Sequence, residues 1–278
     1  MGDNLIYNHL SDSYNQLFAE NIIQFQKNYN TLEGKKSKKN YAVFYPSFGI
    51  RKNEQCQFLI YGQAVNGWGS EFNMSDKEPE IRNERLKKCI EYSNSYLGEK
   101  NHCPLDWVNV QWSNSTLREN IIDEASKKFY KDLARKYRTS RSFFWNVAYK
   151  LINDYYSLGR ESWVWSQKMV WSNLYKIASQ QMNPNSDERR FQEDLSIELV
   201  KKEIEELKPK FCIVLTNENW WKLFREKLKT TQLVNLSKPQ VISFEQYNET
   251  KIVLTTRPFL GSSNKHVSQI LNLIGNNH

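Results

Sequence analysis

Cysteine is scarce and scattered in this chain. Its four thiols, Cys56, Cys89, Cys103 and Cys212, include no Cys-x-x-Cys pair, which argues against a zinc ribbon or a clustered iron–sulfur motif and leaves them as reduced core thiols. Neither His nor Cys spacing implies a metal, and no cofactor is called for. No apolar run approaches the roughly 18 residues that a membrane-spanning helix needs, and no basic-then-apolar leader opens the chain. From these absences a cytoplasmic protein is expected, with no membrane partner and no evident obligate protein partner. No repeat, low-complexity linker or break in composition divides the 278 residues, so one domain is expected. Glycine is sparse too, ten in all, yet three of them fall within eight positions of "LIYGQAVNGWG" at 59–69.

What is present is ample apolar and aromatic material. Hydrophobic residues make up 39% of the chain, enough for a substantial core, and aromatics make up 14%, including nine Trp and fifteen Tyr. That exceeds what a core of this size usually needs and leaves rings for surfaces or stacking. The net charge is +8, which favours an anionic partner such as nucleic acid but also serves solubility.

Periodicity organises the chain. "SDSYNQLFAENIIQFQKNY" has Ser13 and Gln16 in capping-box spacing, followed by apolar residues at Tyr14, Leu17, Phe18, Ile22 and Phe25, and is predicted helical. "EGKKSKKN" reads as a basic loop, its four lysines either a solvated face or a contact for phosphate. "YAVFYPSFGI" follows as an extended, turning approach to the first strand. "CQFLIYG", "KMVWSNL", "FCIVLT" and "KIVLTT" are apolar runs suited to a mostly parallel sheet. Between them lie helical patterns, "PEIRNERLKKCIEYS", "LRENIIDEASKKFYKDLARKY", "SFFWNVAYKLINDYY", "QEDLSIELVKKEIEELK" and "ENWWKLFREKL". "QVISFEQYNETKIVLTT" reads as a hairpin or a strand with an added edge, and "NKHVSQILNLIG" as a closing helix. The alternation predicts an α/β fold, a three-layer α/β/α sandwich around a central, mostly parallel sheet.

In such a sheet ligands bind beyond the carboxyl ends of the strands, where Gly62 to Gly69 would sit. A P-loop requires G-x-x-x-x-G-K-[ST]; Gly62 and Gly67 have the spacing, but Trp68 and Gly69 replace the lysine and the hydroxyl. The dinucleotide pattern G-x-G-x-x-G fails as well. A plain tight turn remains open.

Four segments taken in order resemble the uracil-DNA glycosylase superfamily. Members carry a first motif of the form G-Q-D-P-Y or G-E-A-P-G at the end of the first core strand, and "GQAVNG" at 62–67 is similar. A second strand presents an Asn that reads the base edge, and "MVWSNLYKIA" offers Asn173. A polar loop, a helix of the type E-x-x-x-x-L-x-x-E-I-x-x-L-x-P-K and a strand follow, as in "NPNSDERRFQEDLSIELVKKEIEELKPKFCIVLT". A motif of the form H-P-S precedes the last helix and touches DNA; "TTRPFLGSSNKHVSQIL" resembles it with Arg257 at the His position. The likeness covers roughly residues 55 to 275, and implies a single glycosylase-like domain with an N-terminal helical extension (about 1–50) and a helical, aromatic-rich insertion (about 75–165).

The resemblance implies a DNA partner and hydrolysis of the N-glycosidic bond of a flipped-out base, leaving an abasic site. Gly62, Ala64, Val65, Gly67, Trp68 and Asn173 would line the substrate pocket, with Gln63 placing an amide against the base. Asn173 would both donate to and accept from a pyrimidine edge. Arg257 would be a permanent cation near the departing base or a flanking phosphate. Pro258, Ser262, Ser263, Lys265 and His266 would contact DNA. Ala64 stands where one branch has a water-orienting Asp, so Asn66 or Glu71 is the candidate for activating water. Asn66 also stands where the uracil-specific branch keeps a Tyr that walls off the pyrimidine 5-position. A smaller side chain there, with the aromatic "CPLDWVNVQW" and "SFFWNVAYKLINDYYSLGRESWVW", suggests a larger base, such as a bulky 5-modified cytosine of phage DNA, and hence antiviral defence. Uracil repair, a catalytically inactive nucleic-acid-binding module on the same scaffold, and an unrelated α/β enzyme acting on a nucleotide or sugar are the alternatives.

Overall fold

The computed structural model describes residues 9–31, 41–64, 71–94, 103–109, 138–159, 162, 164–179, 182–236 and 240–275. Helix α1 (Asp12–Asn30) precedes strands β1 (Tyr41–Val43), β2 (Ser47–Phe48), β3 (Phe58–Ala64) and β4 (Glu71–Phe72). Next come α2 (Glu78–Glu80), a π-helical turn (Ile81–Arg85), α3 (Leu86–Asn94), α4 (Asp106–Asn109) and α5 (Phe143–Tyr156). β5 (Met169–Tyr175), β6 (Ile177–Ser179), α6 (Ser186–Arg190), α7 (Glu193–Leu207), β7 (Phe211–Leu215) and α8 (Glu218–Leu228) follow. β8 (Thr231–Asn235), β9 (Val241–Tyr247), β10 (Thr250–Thr255) and α9 (Ser263–Gly275) complete the described chain. The helical pattern at 117–137 and the basic loop at 33–40 lie outside the described residues.

The four apolar runs form the centre of a seven-stranded sheet, ordered β2-β5-β3-β7-β10-β9-β8. β5, β3, β7 and β10 are mutually parallel, while β2, β9 and β8 add antiparallel flanks. The sheet is therefore less uniformly parallel than expected. The flanking pairs are hairpin-like or very short, and these form without the long crossovers that parallel pairing requires. A second, three-stranded antiparallel sheet, β4-β1-β6, has no forecast in the sequence pattern.

Side chains on β3 alternate between two cores, as a period of two requires. Phe58 and Ile60 pack with Trp145, Ala148 and Ile152 of α5 and with Val267 and Ile270 of α9. Leu59 and Tyr61 face Phe18 and Ile22 of α1, Val200 and Ile204 of α7, and Trp221 and Phe224 of α8. Helices thus cover both faces of the sheet, in a mixed α/β architecture. Among the described residues no helix is long and apolar enough to cross a membrane.

The first helix starts two residues before the predicted Ser13 cap. Ser11 is the N-cap, its hydroxyl accepting from the Tyr14 N–H at 3.2 Å. The carboxylate of Glu206, at the end of α7, binds the Ser11 N–H (2.8 Å) and hydroxyl (2.7 Å). A distant residue thereby supplies the acidic half of a capping box, which sequence spacing cannot reveal. Helix α5 follows its local code more closely: the Ser142 hydroxyl caps the Trp145 N–H, and Trp145, Ala148, Tyr149 and Ile152 are buried at helical spacing.

At the far flank, Glu245 of β9 is fully buried and accepts from Trp221 Nε1 (3.1 Å), Arg225 Nε (2.8 Å), Thr230 Oγ1 (2.6 Å) and the Ser243 hydroxyl. Burial alone would raise this carboxyl, but the Arg225 guanidinium and the three neutral donors hold it below the usual carboxylate value. Its contribution is present above the unfolded glutamate value of about 4.3 and is lost as pH falls through the lower folded value. Thermal melts followed by circular dichroism should show the midpoint falling as pH drops from about 5 toward 3, and Glu245→Gln should melt lower at neutral pH with a shallower acid dependence. An unchanged acid slope in that variant would assign the sensitivity to other groups.

Candidate functional site

The parallel strands occupy the spatial order second, first, third, fourth in the chain, so successive crossovers depart from β3 in opposite directions. In open α/β sheets the crevice at this reversal, beyond the carboxyl strand ends, is where ligands bind. The residues there are Gly62 to Ala64 at the end of β3, Asn173 to Tyr175 at the end of β5, Thr216 and Asn217 after β7, and the turn after β10.

Gly62 and Asn173 lie directly opposite each other in the β3–β5 ladder. A Cβ on Gly62 would sit 2.5 Å from Asn173 Oδ1 and 3.6 Å from Phe144 Cε2, so the carboxamide rests on the glycine with the Phe144 ring beside it. Glycine is required here for close approach, because any side chain would displace the amide. Asn173 is only 2% exposed, and its Nδ2 has no hydrogen-bond partner among the described residues. An idle buried donor costs about 1–3 kcal/mol, and such groups are rare enough to call for an explanation. Phe144, in the first turn of α5, continues into an aromatic cluster: it meets Trp145 edge-on at 5.0 Å and Trp171 at 6.3 Å. Trp171 in turn lies 4.5 Å from Phe44 and 4.9 Å from Trp145.

Gln63 points to the opposite face of the sheet, where its Oε1 accepts from Asn183 Nδ2 at 3.0 Å. On that side the Arg189 guanidinium stacks 4.8 Å over the Trp220 ring, which meets Tyr175 edge-on at 5.7 Å. Ala64 pairs with Tyr175 at the strand end. Val65, Asn66, Gly67 and Trp68 lie outside the described residues. The Glu71 backbone belongs to β4 and pairs with Ala42 in the smaller sheet.

The turn between β10 and α9 comes to the same strand-end edge. Arg257 is exposed, and its backbone N–H donates to Asn217 Oδ1 at 2.7 Å, tying this turn to the start of α8. Pro258 is buried, whereas Phe259 and Leu260 are 56% and 81% exposed. Gly261 takes a φ of +77°, a conformation that reverses the chain after this apolar tip. Ser263 accepts from Lys150 Nζ at 2.9 Å, and Lys265 is exposed on the first turn of α9.

Ser262 and His266, expected at the DNA surface, are buried instead. The Ser262 hydroxyl accepts from the Phe259 N–H (2.8 Å) and donates to the Phe259 carbonyl (2.7 Å), closing the turn on itself. His266 is fully buried, with Nδ1 2.9 Å from the Ser262 carbonyl and Nε2 3.1 Å from the Thr256 carbonyl. Their polar atoms brace the turn from inside, so neither faces solvent. Phe144, Asn183, Asn217, Phe259 and Leu260 were not singled out from sequence. A long-range pairing locates the two asparagines, and an apolar pair in a loop looks like core until its exposure is known.

Comparison with family models, with curated proteins and with solved structures finds no match to the chain.

Close packing of Asn173 on Gly62 has a direct test. Gly62→Ala should destabilise the protein by about 1–3 kcal/mol through overpacking, and the penalty should nearly vanish in an Asn173→Ala background. Equal penalties in both backgrounds, measured by urea denaturation, would mean that the two residues do not touch.

Proposed function

We propose that this protein is a DNA glycosylase that holds an everted nucleobase against Asn173 and Phe144 and hydrolyses its N-glycosidic bond. One observation carries the proposal: a buried, unpartnered carboxamide donor lies at the carboxyl ends of parallel strands, beside an aromatic ring and over a glycine. Nδ2 would donate to a pyrimidine carbonyl and Oδ1 accept from a ring or exocyclic N–H, while the ring of Phe144 supplies a stacking surface. The likeness to the uracil-DNA glycosylase superfamily supplies the reaction class.

The surrounding residues fit the other demands of that reaction. Eversion costs a few kcal/mol, and proteins that distort DNA often insert an apolar wedge between base steps. Phe259 and Leu260, exposed at the tip of a braced turn, have that chemistry. Exposed Arg257 and Lys265 would meet phosphates, and Arg257 would also stabilise negative charge on the leaving base. Water adds to C1′ as the C1′–N bond breaks; the base departs with the bonding electrons and is protonated, and the proton of the attacking water passes to solvent. Asn66 and Glu71 remain the candidates for orienting that water. Asn173 is 2% exposed, so a base reaches it only when a covering side chain moves, and among the described residues the half-buried Phe144 lies beside it.

A bulky 5-modified cytosine of phage DNA is the proposed substrate, and antiviral defence the role that would follow. A binding module without hydrolysis is the second reading. It is favoured by the floor itself: Gly62, Phe144 and Asn173, the described residues that meet there, include no carboxylate.

Purified protein should be incubated with oligonucleotide duplexes carrying uracil, mismatched thymine or glucosylated hydroxymethylcytosine, then treated with alkali. Scission at the modified base is expected, with Asn173→Ala about 100-fold slower. Abasic product from uracil alone would remove the enlarged substrate. Salt-dependent binding without scission would establish the non-catalytic module, and neither binding nor scission would end the proposal. Phe259→Ala with Leu260→Ala should leave the melting temperature within experimental error, since both side chains are exposed. The same change should lower activity on duplex more than on single strands; equal losses on both would exclude a wedge.

A further inference from the structure

Lys176 is the least expected residue in the molecule. It follows an apolar strand, where a lysine ordinarily marks the return to solvent, yet it is fully buried together with its partner Glu203. It sits at the turn between β5 and β6, where the chain leaves the large sheet for the small one. Its ammonium lies 2.6 Å from Glu203 Oε1 and donates to Ser172 Oγ (2.7 Å) and to the backbone carbonyl of Asn173 (2.6 Å). Glu203 also accepts from the hydroxyls of Tyr14 (2.6 Å), Tyr61 (2.8 Å) and Ser172 (2.8 Å).

Stability does not explain this arrangement. Two buried charges are costly to desolvate, and well-packed apolar residues of similar volume often serve a core equally well or better. What an apolar pair cannot do is donate to the Asn173 carbonyl. β2 covers β5 only at Val170 and Trp171, so among the described residues that edge has no strand partner by the level of Asn173. The ammonium supplies a donor there, on the α7 side of the sheet, while the carboxamide of the same residue lies against Gly62 and Phe144 on the other.

We propose that Lys176, held in place by Glu203, is a positioning residue that fixes the Asn173 backbone and so aims its carboxamide into the site. The proposal rests on Asn173 being the base-reading group. Lys176 touches no substrate, because its ammonium is enclosed on the opposite face.

The test uses the full chain labelled with nitrogen-15 asparagine, the Asn173 side-chain amide resonances being assigned by their loss in Asn173→Asp. Wild type should give one sharp pair. Lys176→Met with Glu203→Leu should remain folded, while the Asn173 pair broadens, splits or moves. Excision of whichever of the three duplexes wild type cuts best should slow about 100-fold, the order of loss in rate that a small misplacement produces. Lys176→Gln with Glu203→Gln, which keeps a neutral donor for the carbonyl, should restore the single pair. Should the Met/Leu variant fail to fold, Lys176→Met with Glu203→Gln retains an acceptor for the three hydroxyls and allows the same comparison. An Asn173 pair identical to wild type after loss of the lysine donor would overturn the positioning role, whatever the activity. A wild-type protein that neither binds nor cuts any of the duplexes would overturn the glycosylase reading instead, and the amide comparison would still decide what Lys176 does.

Discussion

The salt bridge between Lys176 and Glu203 is the constraint around which the larger core is arranged. Glu203 is reached by Tyr14 of α1, Tyr61 of β3 and Ser172 of β5, so one carboxylate on α7 gathers three other elements. A buried charge left unpaired is far more damaging than the same volume filled with hydrocarbon. Each of these contacts therefore disciplines the register of the element that makes it. A one-residue slip of β3 would carry Tyr61 to the other face and replace a hydroxyl donor with a glycine or an isoleucine. The apolar packing supplies most of the driving force for folding, and the polar cluster selects among the ways in which those apolar faces could meet.

The two faces of the sheet divide the work. On the α1 and α7 side the side chains of Tyr61, Ser172, Lys176 and Glu203 satisfy one another completely. On the α5 side the same strands present Gly62 and Asn173, one with no side chain and the other with an idle donor. The cluster around Glu203 is closed by hydrogen bonds, whereas a few ångströms away the Asn173 carboxamide keeps an idle donor, although α1 and α7 also carry buried polar atoms without partners among the described residues, at Asn21 and Ser196. The aromatic cluster of Phe44, Trp107, Trp145 and Trp171 gives Phe144 a firm backing, which accounts for part of the aromatic excess in the composition.

Much of the architecture was legible before any coordinates. The four central strands lie where the apolar runs place them, and of the two readings of "QVISFEQYNETKIVLTT" the hairpin is the one formed, by β9 and β10. The pairing of Gly62 with Asn173 joins two segments that the resemblance assigns to one pocket. The three-stranded sheet was not legible, since strands of two or three residues leave no periodic trace. Neither was the capping role of Glu206, nor the interior place of Lys176, Ser262 and His266. In each case a polar residue is buried because a partner far along the chain satisfies it, and single-sequence reasoning assigns such residues to the surface by default. Asn66 and Glu71 were offered because Ala64 stands where one branch of the superfamily keeps a water-orienting Asp; the backbone of Glu71 belongs to the smaller sheet, and Asn66 lies outside the described residues.

The turn carrying Phe259 and Leu260 has a kinetic consequence. Its shape is set internally, by a serine hydroxyl that bonds both ends of one peptide segment and by a histidine wedged between two carbonyls. The entropy of ordering it has already been lost during folding. Were a partner to engage this tip, it would meet a finished projection instead of a segment that must first be organised, and orientation rather than loop rearrangement would limit the rate.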